Sequence, residues 1–475
     1  MKMIKSFLTL SLLSTFFAPS AVAQNDITGD WYGTLDLQGM MKLRIVFHVQ
    51  KTDDGLATTL DSPDQKAFGI PVGTTTFSQP DLSIEMPALM ASFKGAVNED
   101  FTELNGTFEQ RGAKMPLVMG RLAIEAPTMP RPQEPKPPFP YYEEEVVFEN
   151  TRAGVSLAGS LTLPTKEGKY PVVVLVSGSG PQDRNEELLG HKPFLVLADH
   201  LTRRGIGVLR YDDRGVGGST GDHGSATSED FAGDALAAVA YLKTRPEVDA
   251  KNIGIAGHSE GGMIAPMCAA RSRDVAFIVL LAGTGGDGEE ILLKQIELIN
   301  RANGYSEERN SRELAFTKTA LHLIKTEQDT SLLKPKLTAV LEEAYETLPE
   351  DEKAESGSKE DFVKQQADPL MTPWFRFFIK YDPKTSLEKV KCPVLAINGE
   401  KDLQVEPKIN LAGIKAGLEK GGNTNFTIKE LPNLNHLFQT CKTGSPKEYS
   451  QIEETFSPVA LKEVSDWIMK TVKTE

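Results

Sequence analysis

A serine at the centre of a tight, glycine-rich turn is the residue that the sequence marks most clearly as a nucleophile. The turn, Gly257–Gly261, reads GHSEG; an apolar run at Ile253–Ala256 precedes it and a helix-like run at Met263–Ala270 follows. A strand that turns directly into a helix strains its central residue, and only glycine fits two positions to either side. The Ser259 hydroxyl is then lifted clear of the sheet at a helix N-terminus, where backbone N–H groups favour developing negative charge.

An alcohol is a weak nucleophile at neutral pH, so Ser259 needs a general base within reach and an acid that orients that base. At this kind of turn the acid and then the histidine follow the serine along the chain. Of the seven histidines, two come after Ser259. His322 lies inside a helix-like segment with no strand-end acid before it, whereas His436 and Asp402 both follow strands. Because the carboxyl ends of parallel strands share one edge of a sheet, we predict a triad of Ser259, Asp402 and His436.

The same chemistry needs two donors for the oxygen that becomes negatively charged when the serine attacks a carbonyl. One donor is predicted to be the backbone N–H of Glu260, the residue after the nucleophile. The other should come from the loop after the third strand, residues 177–184, whose sequence SGSGPQDR contains small residues that let the backbone approach a substrate. The N–H of Ser179 is favoured, with Gly180 as the alternative.

Other polar groups around the turn are predicted to support the fold. Residues 212–219, DDRGVGGS, follow the fourth strand and read as a structural turn whose charged groups satisfy one another. His258 is predicted to pack beneath the serine. The Glu260 side chain is predicted to be structural or to face the substrate.

From Tyr141 onward, apolar strands alternate with helical patterns, which predicts a mainly parallel α/β sheet for residues 141–475. A leading antiparallel pair is expected at Val146–Glu149 and Val155–Leu163. Between Gly283 and Pro373 the strands stop and charged helical patterns take over. We predict a helical cap insertion there, at about residues 287–370, over the carboxyl edge of the sheet.

The N-terminal part of the chain has a different pattern. Residues 24–125 carry short alternating runs separated by turn residues, which predicts a small antiparallel β-barrel or sandwich. Its opening Gly29-Asp30-Trp31 resembles the start of lipocalin-like barrels. Residues 126–140 contain seven prolines and are predicted to form a semi-rigid, extended linker.

The first 23 residues have the pattern of a secretory signal. Lys2 and Lys5 precede an apolar run at Phe7–Phe17, and residues 21–23 (AVA) form a small-residue cleavage site. Cleavage before Gln24 removes two lysines, so the formal net charge of −14 becomes −16 in the mature chain. We therefore predict an exported protein, periplasmic or extracellular.

The composition of the chain excludes several classes of binding partner. The acidic balance argues against a nucleic-acid partner and against binding to anionic membranes. No later apolar run is long enough to cross a bilayer. The three cysteines, Cys268, Cys392 and Cys441, are far apart and odd in number, so they predict no disulfide framework.

Several stretches of residues 145–475 together resemble the bacterial esterase D-type serine hydrolases of the α/β-hydrolase superfamily, near the prolyl-oligopeptidase and serine-aminopeptidase relatives. The resemblance implies a carboxylesterase acting on short acyl chains through Ser259, Asp402 and His436, without a cofactor. It does not extend to the β-rich N-terminal region. The stretches that carry it are 176–184 (VSGSGPQDR), 210–218 (RYDDRGVGG), 257–266 (GHSEGGMIAP), 373–383 (PWFRFFIKYDP), 393–402 and the surroundings of His436.

Three functions fit these patterns. The first is hydrolysis of a small-molecule ester, and the second is an aminopeptidase or dipeptidyl peptidase that uses the same triad. In the third, the N-terminal region binds a glycan or a protein and hydrolysis is secondary. A peptidase that recognises a free amine needs carboxylates near the nucleophile. The sequence ties one such group, Glu260, to the site, which favours the ester.

Overall fold

A computed structural model describes residues 26–36, 42–53, 55–65, 67–110, 113–124 and 129–472. The chain divides into two compact units between residues 128 and 129. The predicted secretory signal and the first residues of the predicted linker lie outside the described residues. Among the helices that are described, none combines the length and apolar character needed to cross a membrane.

The first unit is a closed antiparallel barrel. Within its described residues, eight strands pair in the ring β2-β1-β9-β8-β7-β6-β5-β3, which closes because β3 pairs with β2, and β4 extends the sheet beside β3. The prediction of a small antiparallel barrel or sandwich is confirmed, and the fold is the barrel. The strands are β1 Gly29–Asp36, β2 Lys42–Thr52, β3 Gly55–Ser62, β4 Ala67–Pro71, β5 Thr74–Ser78, β6 Asp81–Met86, β7 Ala91–Val97, β8 Glu103–Gln110 and β9 Ala113–Gly120.

Alternation of apolar and polar residues fills the barrel interior with side chains. Every second residue of β6 and β9 is buried, as expected for strands with one face in a core. Trp31 is fully buried, its indole N–H donates to the Ile27 carbonyl at 2.9 Å, and the Arg121 guanidinium lies 3.6 Å from its ring centroid. Phe47 and Phe93 pack in the same core.

The second unit is built on a mostly parallel sheet. Its described strands have the order β10-β11-β13-β12-β14-β15-β16-β17. The β10–β11 and β11–β13 pairs are antiparallel and the remaining pairs are parallel, which confirms the predicted fold with its leading antiparallel pair. The strands are β10 Tyr142–Asn150, β11 Val155–Leu163, β12 Tyr170–Val176, β13 Gly207–Tyr211, β14 Val248–His258, β15 Phe277–Leu281, β16 Val394–Gly399 and β17 Phe426–Leu431.

Helices cover both faces of this sheet. Buried residues of α1 and α12 pack on one face, and those of α2, α3 and α11 pack on the other. Strands β12, β15 and β16 are largely apolar because both of their faces are covered by helices. The helices are α1 Pro193–Arg203, α2 Ser228–Leu242, α3 Glu260–Arg271, α4 Gly288–Ala302, α5 Glu307–Thr326, α6 Thr330–Glu346, α7 Glu350–Ser356, α8 Lys359–Leu370, α9 Pro373–Lys380, α10 Lys384–Leu387, α11 Pro407–Lys420 and α12 Pro458–Val472.

Helices α4 to α9 occupy the interval between β15 and β16, where the sequence pattern predicts a cap. Five of them begin at a residue whose side chain accepts a hydrogen bond from a backbone N–H of the first turn, which sets their starting points. An apolar cluster joins α4, α5, α6 and α9 to Met263 of α3, so the cap packs on the helix that follows Ser259. The five N-terminal capping residues are Asp287, Ser306, Asp329, Ser358 and Thr372.

The described part of the proline-rich segment is bound to the second unit. The Arg131 guanidinium donates to the carbonyls of Gly190 and Ile452, at 3.0 and 2.5 Å. The Gln133 amide donates to the Phe456 carbonyl at 2.7 Å and accepts from the Thr455 N–H at 2.6 Å. Residues 131–133 are therefore part of a folded surface, because their side chains form hydrogen bonds with backbone groups of two other segments, near Gly190 and at residues 452–456.

Candidate active site

Ser259 is the single residue between strand β14 and helix α3. Its φ of 53° and ψ of −113° lie outside the ordinary regions for a non-glycine residue. The backbone is held there from both sides, because the Ser259 N–H donates to the Leu281 carbonyl at 2.8 Å and its carbonyl accepts from the Gly262 N–H at 2.9 Å. The strain is therefore built into the joint between strand and helix.

The flanking glycines allow a very close approach of backbones. A Cβ atom on Gly257 would lie 1.9 Å from the Gly261 carbonyl oxygen, and a Cβ atom on Gly261 would lie 2.1 Å from the Val176 carbonyl oxygen. Both distances are impossible for real atoms. A side chain on Gly257 would collide with Gly261, and one on Gly261 would collide with strand β12. Because both positions are glycine, α3 can lie directly against the end of the sheet.

Asp402 and His436 lie together at the same edge of the sheet, with His436 Nδ1 at 2.7 Å from Asp402 Oδ2. Asp402 is 1% exposed and His436 is 5% exposed. The other carboxylate oxygen, Asp402 Oδ1, accepts from the N–H groups of Gln404 and Val405 at 2.8 and 2.9 Å. Since the carboxylate is an acceptor, the proton of the pair lies on Nδ1, and Nε2 is left as the basic nitrogen.

The loop that carries His436 is rigidly held on the end of β16. A Cβ atom on Gly399 would lie 2.3 Å from the Leu434 carbonyl oxygen, so the loop backbone rests directly on the strand. Asn435 is fully buried, and its Oδ1 accepts from the N–H groups of Leu437 and Gln439 at 3.1 and 2.9 Å. The position of His436 is therefore determined by its backbone as well as by Asp402.

The turn and the histidine loop meet through His258. His258 Nε2 lies 3.0 Å from the His436 carbonyl oxygen, and the centroids of the two imidazole rings are 4.8 Å apart. His258 is 7% exposed and lies beneath the turn, as the sequence predicts. His322, in contrast, is exposed on α5.

The loop after β12 passes over Ser259. A Cβ atom on Gly178 would lie 3.3 Å from the Ser259 Cβ atom, which is the range of direct contact. The Gly178 N–H already donates to Glu186 Oε1 at 2.6 Å. Among the described residues, the N–H groups of Glu260, Ser179 and Gly180 donate to no protein acceptor, as the prediction that they bind a substrate oxygen requires.

Two consecutive aspartates hold this loop in place. Asp213 accepts from the Ser177 hydroxyl at 2.9 Å and from the Gln182 N–H at 3.0 Å. Asp212 accepts from the Arg184 guanidinium at 3.0 and 2.8 Å, from the Arg184 N–H at 2.9 Å and from the Gly218 N–H at 3.0 Å. The charged residues after the fourth strand therefore shape residues 177–184, which we call the donor loop after their predicted role.

The pKa values of the two aspartates are shifted in opposite directions. Burial raises the pKa of Asp213 to about 8, against the two hydrogen bonds that favour its charged form and with the buried carboxyls of Glu260 and Glu186 nearby. Burial would also raise the pKa of Asp212, but the hydrogen bonds from Arg184 and Gly218 lower it below its usual value.

The Glu260 side chain points away from solvent and is 4% exposed. Its Oε1 accepts from the Ser228 hydroxyl at 2.6 Å and from the Trp374 indole N–H at 2.8 Å, and burial raises its pKa. Of the two roles that the sequence leaves open for this side chain, the contacts fit the structural one. Trp374 belongs to α9, so the cap is hydrogen-bonded to the residue after Ser259.

Sequence reasoning missed Glu186 and Trp374. Glu186 lies in an ordinary acidic stretch, Asn185–Glu187, and its partner His258 is 72 positions away. Trp374 stands in a motif that carries the family resemblance, yet nothing in its local pattern points to Glu260, 114 positions earlier. The catalytic roles assigned to Ser259, Asp402, His436 and the two donors stay predictions. No group of three or more His, Cys, Asp or Glu side chains in the described ranges could hold a metal ion.

Comparison with known proteins finds one matching hydrolase family and similarity to esterases. A family model described as serine aminopeptidase, S33, matches residues 192–440. The chain is 28% identical over 336 residues to esterase EstD of Thermotoga maritima, which covers 70% of each protein. Among solved structures, Est1E of Butyrivibrio proteoclasticus with bound ferulic acid is 16% identical with a TM-score of 0.40, covering 69% of this chain and 99% of Est1E. Esterase Pf2001 of Pyrococcus furiosus is 15% identical with a TM-score of 0.39, covering 70% of this chain and 93% of Pf2001.

The close approach at the turn predicts the effect of one added methyl group. Gly261→Ala should remove activity and lower the free energy of unfolding by about 1–3 kcal/mol or more, because α3 must move away from the Val176 carbonyl. The matched control is Gly224→Ala, where the nearest atom to the new Cβ is 3.4 Å away. Denaturant unfolding and ester turnover of both variants check this; an active and stable Gly261→Ala protein would refute the packing argument.

The raised pKa of Asp213 predicts a pH dependence of stability. Below about pH 4 both folded and unfolded chains hold this proton; at higher pH the unfolded chain releases it while the folded protein keeps it up to about pH 8. The free energy of unfolding therefore falls as pH rises through this window, and Asp213→Asn should make that fall shallower, by at most about 1.4 kcal/mol per pH unit.

Denaturant unfolding at pH 5, 6, 7 and 8 measures the slope. Asp212→Asn is the neighbouring control: because the pKa of Asp212 is lowered, its contribution is present above its unfolded pKa and lost only as pH falls. That variant should lose stability about equally across this range. Equal slopes for the wild-type protein and Asp213→Asn would contradict the assignment.

Proposed function

This chain belongs to the serine aminopeptidase S33 family of α/β-hydrolases, and we propose that it is a serine carboxylesterase acting on short acyl esters. The relative from Thermotoga maritima is named an esterase, and hydrolysis of an ester is the reaction that the site geometry supports best. Ser259 is the nucleophile, His436 the general base and Asp402 the acid that orients His436.

The observation that carries this proposal is the contact between His436 Nδ1 and Asp402 Oδ2 at 2.7 Å, at the sheet edge where β14 ends and Ser259 is held at a φ of 53°. The contact fixes the tautomer of His436, which leaves the basic Nε2 for the proton of the attacking hydroxyl. The strained turn presents that hydroxyl at the start of α3. Both features belong to the same sheet edge, so attack and proton transfer occur in one place.

The reaction has two halves. Ser259 Oγ attacks the ester carbonyl while its proton moves to His436 Nε2, and that proton then passes to the leaving alcohol, giving the acyl-enzyme. A water molecule next loses a proton to His436 Nε2 and attacks the acyl carbon, and Ser259 leaves with that proton. The Glu260 N–H and the Ser179 N–H, with Gly180 as the alternative, stabilise the negative oxygen in both halves.

The burial of Glu260 favours an ester over a peptide with a free amine. An exopeptidase holds the substrate ammonium group with carboxylates near the scissile bond. The Glu260 carboxylate already accepts from Ser228 and Trp374 and is shielded from solvent, so it does not offer a charge to an incoming amine. This supports acyl transfer from an ester as the main activity.

The cap supports an apolar acyl group. The cluster that joins Met263 to the cap contains aliphatic and aromatic side chains, and Met263 follows Ser259 by one helical turn. A cap packed in this way over the carboxyl edge limits the space for an acyl chain, which is why we propose short chains. The members of the cluster with the smallest exposure are Met263, Ile291, Leu321, Ile324, Leu333, Phe378 and Ile379.

We also propose that the protein is exported and processed, on the pattern of its first 23 residues. Expressed in full in a bacterium that secretes through signal peptides, the chain should be recovered outside the cytoplasm with Gln24 as its first residue. Intact-mass measurement of the recovered protein checks the cleavage point. Recovery in the cytoplasm with residues 1–23 retained would contradict export.

The proposed reaction predicts a preference that kinetics can measure. An ester has the better leaving group, so kcat/KM for acetyl and butyryl 4-nitrophenyl esters should far exceed that for alanyl and prolyl 4-nitroanilides. Octanoyl ester should be the poorest of the three esters, because the cap restricts the acyl side. An anilide rate equal to or above the ester rate would favour the peptidase function.

Ser259→Ala is the control for this panel. It should lower kcat by about a millionfold, as expected for a nucleophile that acts as a unit with its base, while the folded structure is kept. Circular dichroism and thermal unfolding check the fold. Retention of most of the ester rate would remove Ser259 from the proposed mechanism.

A further inference from the structure

A second carboxylate–histidine pair lies directly beneath the proposed triad. His258 Nδ1 is 2.9 Å from Glu186 Oε1, and His258 Nε2 is 3.0 Å from the His436 carbonyl oxygen. Glu186 is 4% exposed, and its Oε1 also accepts from the Gly178 N–H at 2.6 Å. The pair therefore bonds to the donor loop at one end and to the histidine loop at the other.

The pattern of hydrogen bonds defines the charge of His258. A neutral imidazole has one donor nitrogen and one acceptor nitrogen. Both nitrogens of His258 face acceptors, a carboxylate and a backbone carbonyl, so the ring must donate twice. Burial alone lowers the pKa of His258, but the Glu186 carboxylate and its hydrogen bond overcome this and raise it. The pair is thus a buried imidazolium and carboxylate.

Burying such a charged pair costs free energy, and the backbone of Glu186 is strained as well. Breaking a buried ion pair leaves an uncompensated charge, which destabilises a protein strongly. Glu186 has a φ of 51°, in the left-handed region that a residue with a long side chain rarely adopts. The turn is kept by a hydrogen bond from the Glu186 N–H to the Asp183 carbonyl at 2.9 Å. Strain concentrated at one buried acid, next to reacting groups, indicates a positioning role.

We propose that Glu186 and His258 are positioning residues that hold the donor loop and the His436 loop at a fixed separation across Ser259. The proposal rests on the function proposed above, since it assigns these residues a part in the same reaction. Glu186 fixes the donor loop through the Gly178 N–H, next to Ser179. His258 fixes the backbone of His436, and neither side chain touches the substrate.

Neutralising Glu186 tests this arrangement with little change of shape. In Glu186→Gln a single amide oxygen replaces the carboxylate, and His258 loses the charge that keeps it doubly protonated. A neutral ring cannot donate to both the glutamine and the His436 carbonyl, so one of the three hydrogen bonds is lost. His258→Gln breaks the same chain of contacts from the other side.

We expect Glu186→Gln and His258→Gln each to lower kcat for butyryl 4-nitrophenyl ester by about 10- to 100-fold, with KM changed by less than about twofold. The affinity for butylboronic acid, which mimics the tetrahedral intermediate on Ser259, should fall by a similar factor. Rates are normalised to sites titrated with a fluorophosphonate. The double variant should lose about as much as either single variant, because the pair acts as a unit.

His200→Gln is the matched control. His200 is half-buried on α1 in the same unit, and its Nε2 lies 3.0 Å from the Ser465 hydroxyl, away from the proposed site. The same substitution there should leave kcat, KM and boronate affinity within twofold of wild type. A general loss of stability would lower the titrated fraction of sites in any variant, whereas loss of positioning lowers the rate per titrated site.

The charge of His258 is measured on a chain with both positioning residues present. His48 also lies between two carboxylates, Asp30 and Asp61, and burial is outweighed there as well, so its pKa is raised. In a His48→Gln background, a side-chain 15N pH titration should therefore still show an imidazolium that persists above the ordinary histidine pKa of 6.5. That signal should disappear when Glu186→Gln is added.

The possible results separate this proposal from the proposed function. Full activity in Ser259→Ala would overturn the function itself. A normal Ser259 dependence together with wild-type kcat and boronate affinity in folded Glu186→Gln and His258→Gln would overturn the positioning role alone, as would the absence of an imidazolium with a raised pKa in the titration. If neither Gln variant folds, Glu186→Asp, which keeps the charge but is one methylene shorter, gives the same kinetic reading; failure of all three to fold would assign the pair to the fold instead.

Discussion

A strand that turns into a helix at one residue leaves no volume between the two backbones, and the second unit is arranged around that contact. Gly257 and Gly261 meet at a distance that excludes any side chain, and α3 is thereby drawn against the Val176 carbonyl of β12. The close packing forces Ser259 into its unusual backbone conformation and brings the β12 loop over it. Ser259, the loop after β12 and a helix N-terminus thus meet because one joint has no room for a Cβ atom.

Around this joint, buried carboxyl groups hold loops in place. Asp402, Asp212, Asp213, Glu186 and Glu260 each accept hydrogen bonds from the backbone or from side chains of another segment. A loop has few apolar contacts of its own, so directed bonds to a buried carboxylate are an effective way to hold it in one conformation. The same bonds make the site sensitive to the loss of one partner, since a buried donor or acceptor would remain unsatisfied.

Chain order and strand ends were sufficient to nominate Ser259, Asp402 and His436, because parallel strands must end at a common edge. The β-rich start, the leading antiparallel pair and the helical insertion were also predictable, since each depends on local periodicity. What could not be read was pairing between distant segments: Glu186 with His258, Trp374 with Glu260, and Gln133 with Phe456. The local sequence around each of these residues gives no sign of the pairing, which exists only once folding brings the two partners together. The proline-rich segment shows the same limit, because composition predicts its extended form but not the surface that binds it.

The anchoring of that segment also has a consequence for how the second unit closes. Arg131 and Gln133 bond to carbonyls of residues 321 and 323 positions further on, so the beginning and the end of the unit are joined across nearly its whole length. A contact of this span closes a very large loop and cannot form until the last part of the chain has left the ribosome. In the barrel, by comparison, most strand pairs join neighbours in sequence. During synthesis the two units therefore become able to fold at different times. Most strand pairs of the barrel can form soon after the barrel emerges, whereas the second unit lacks the partners of Arg131 and Gln133 until Ile452 and Phe456 have emerged.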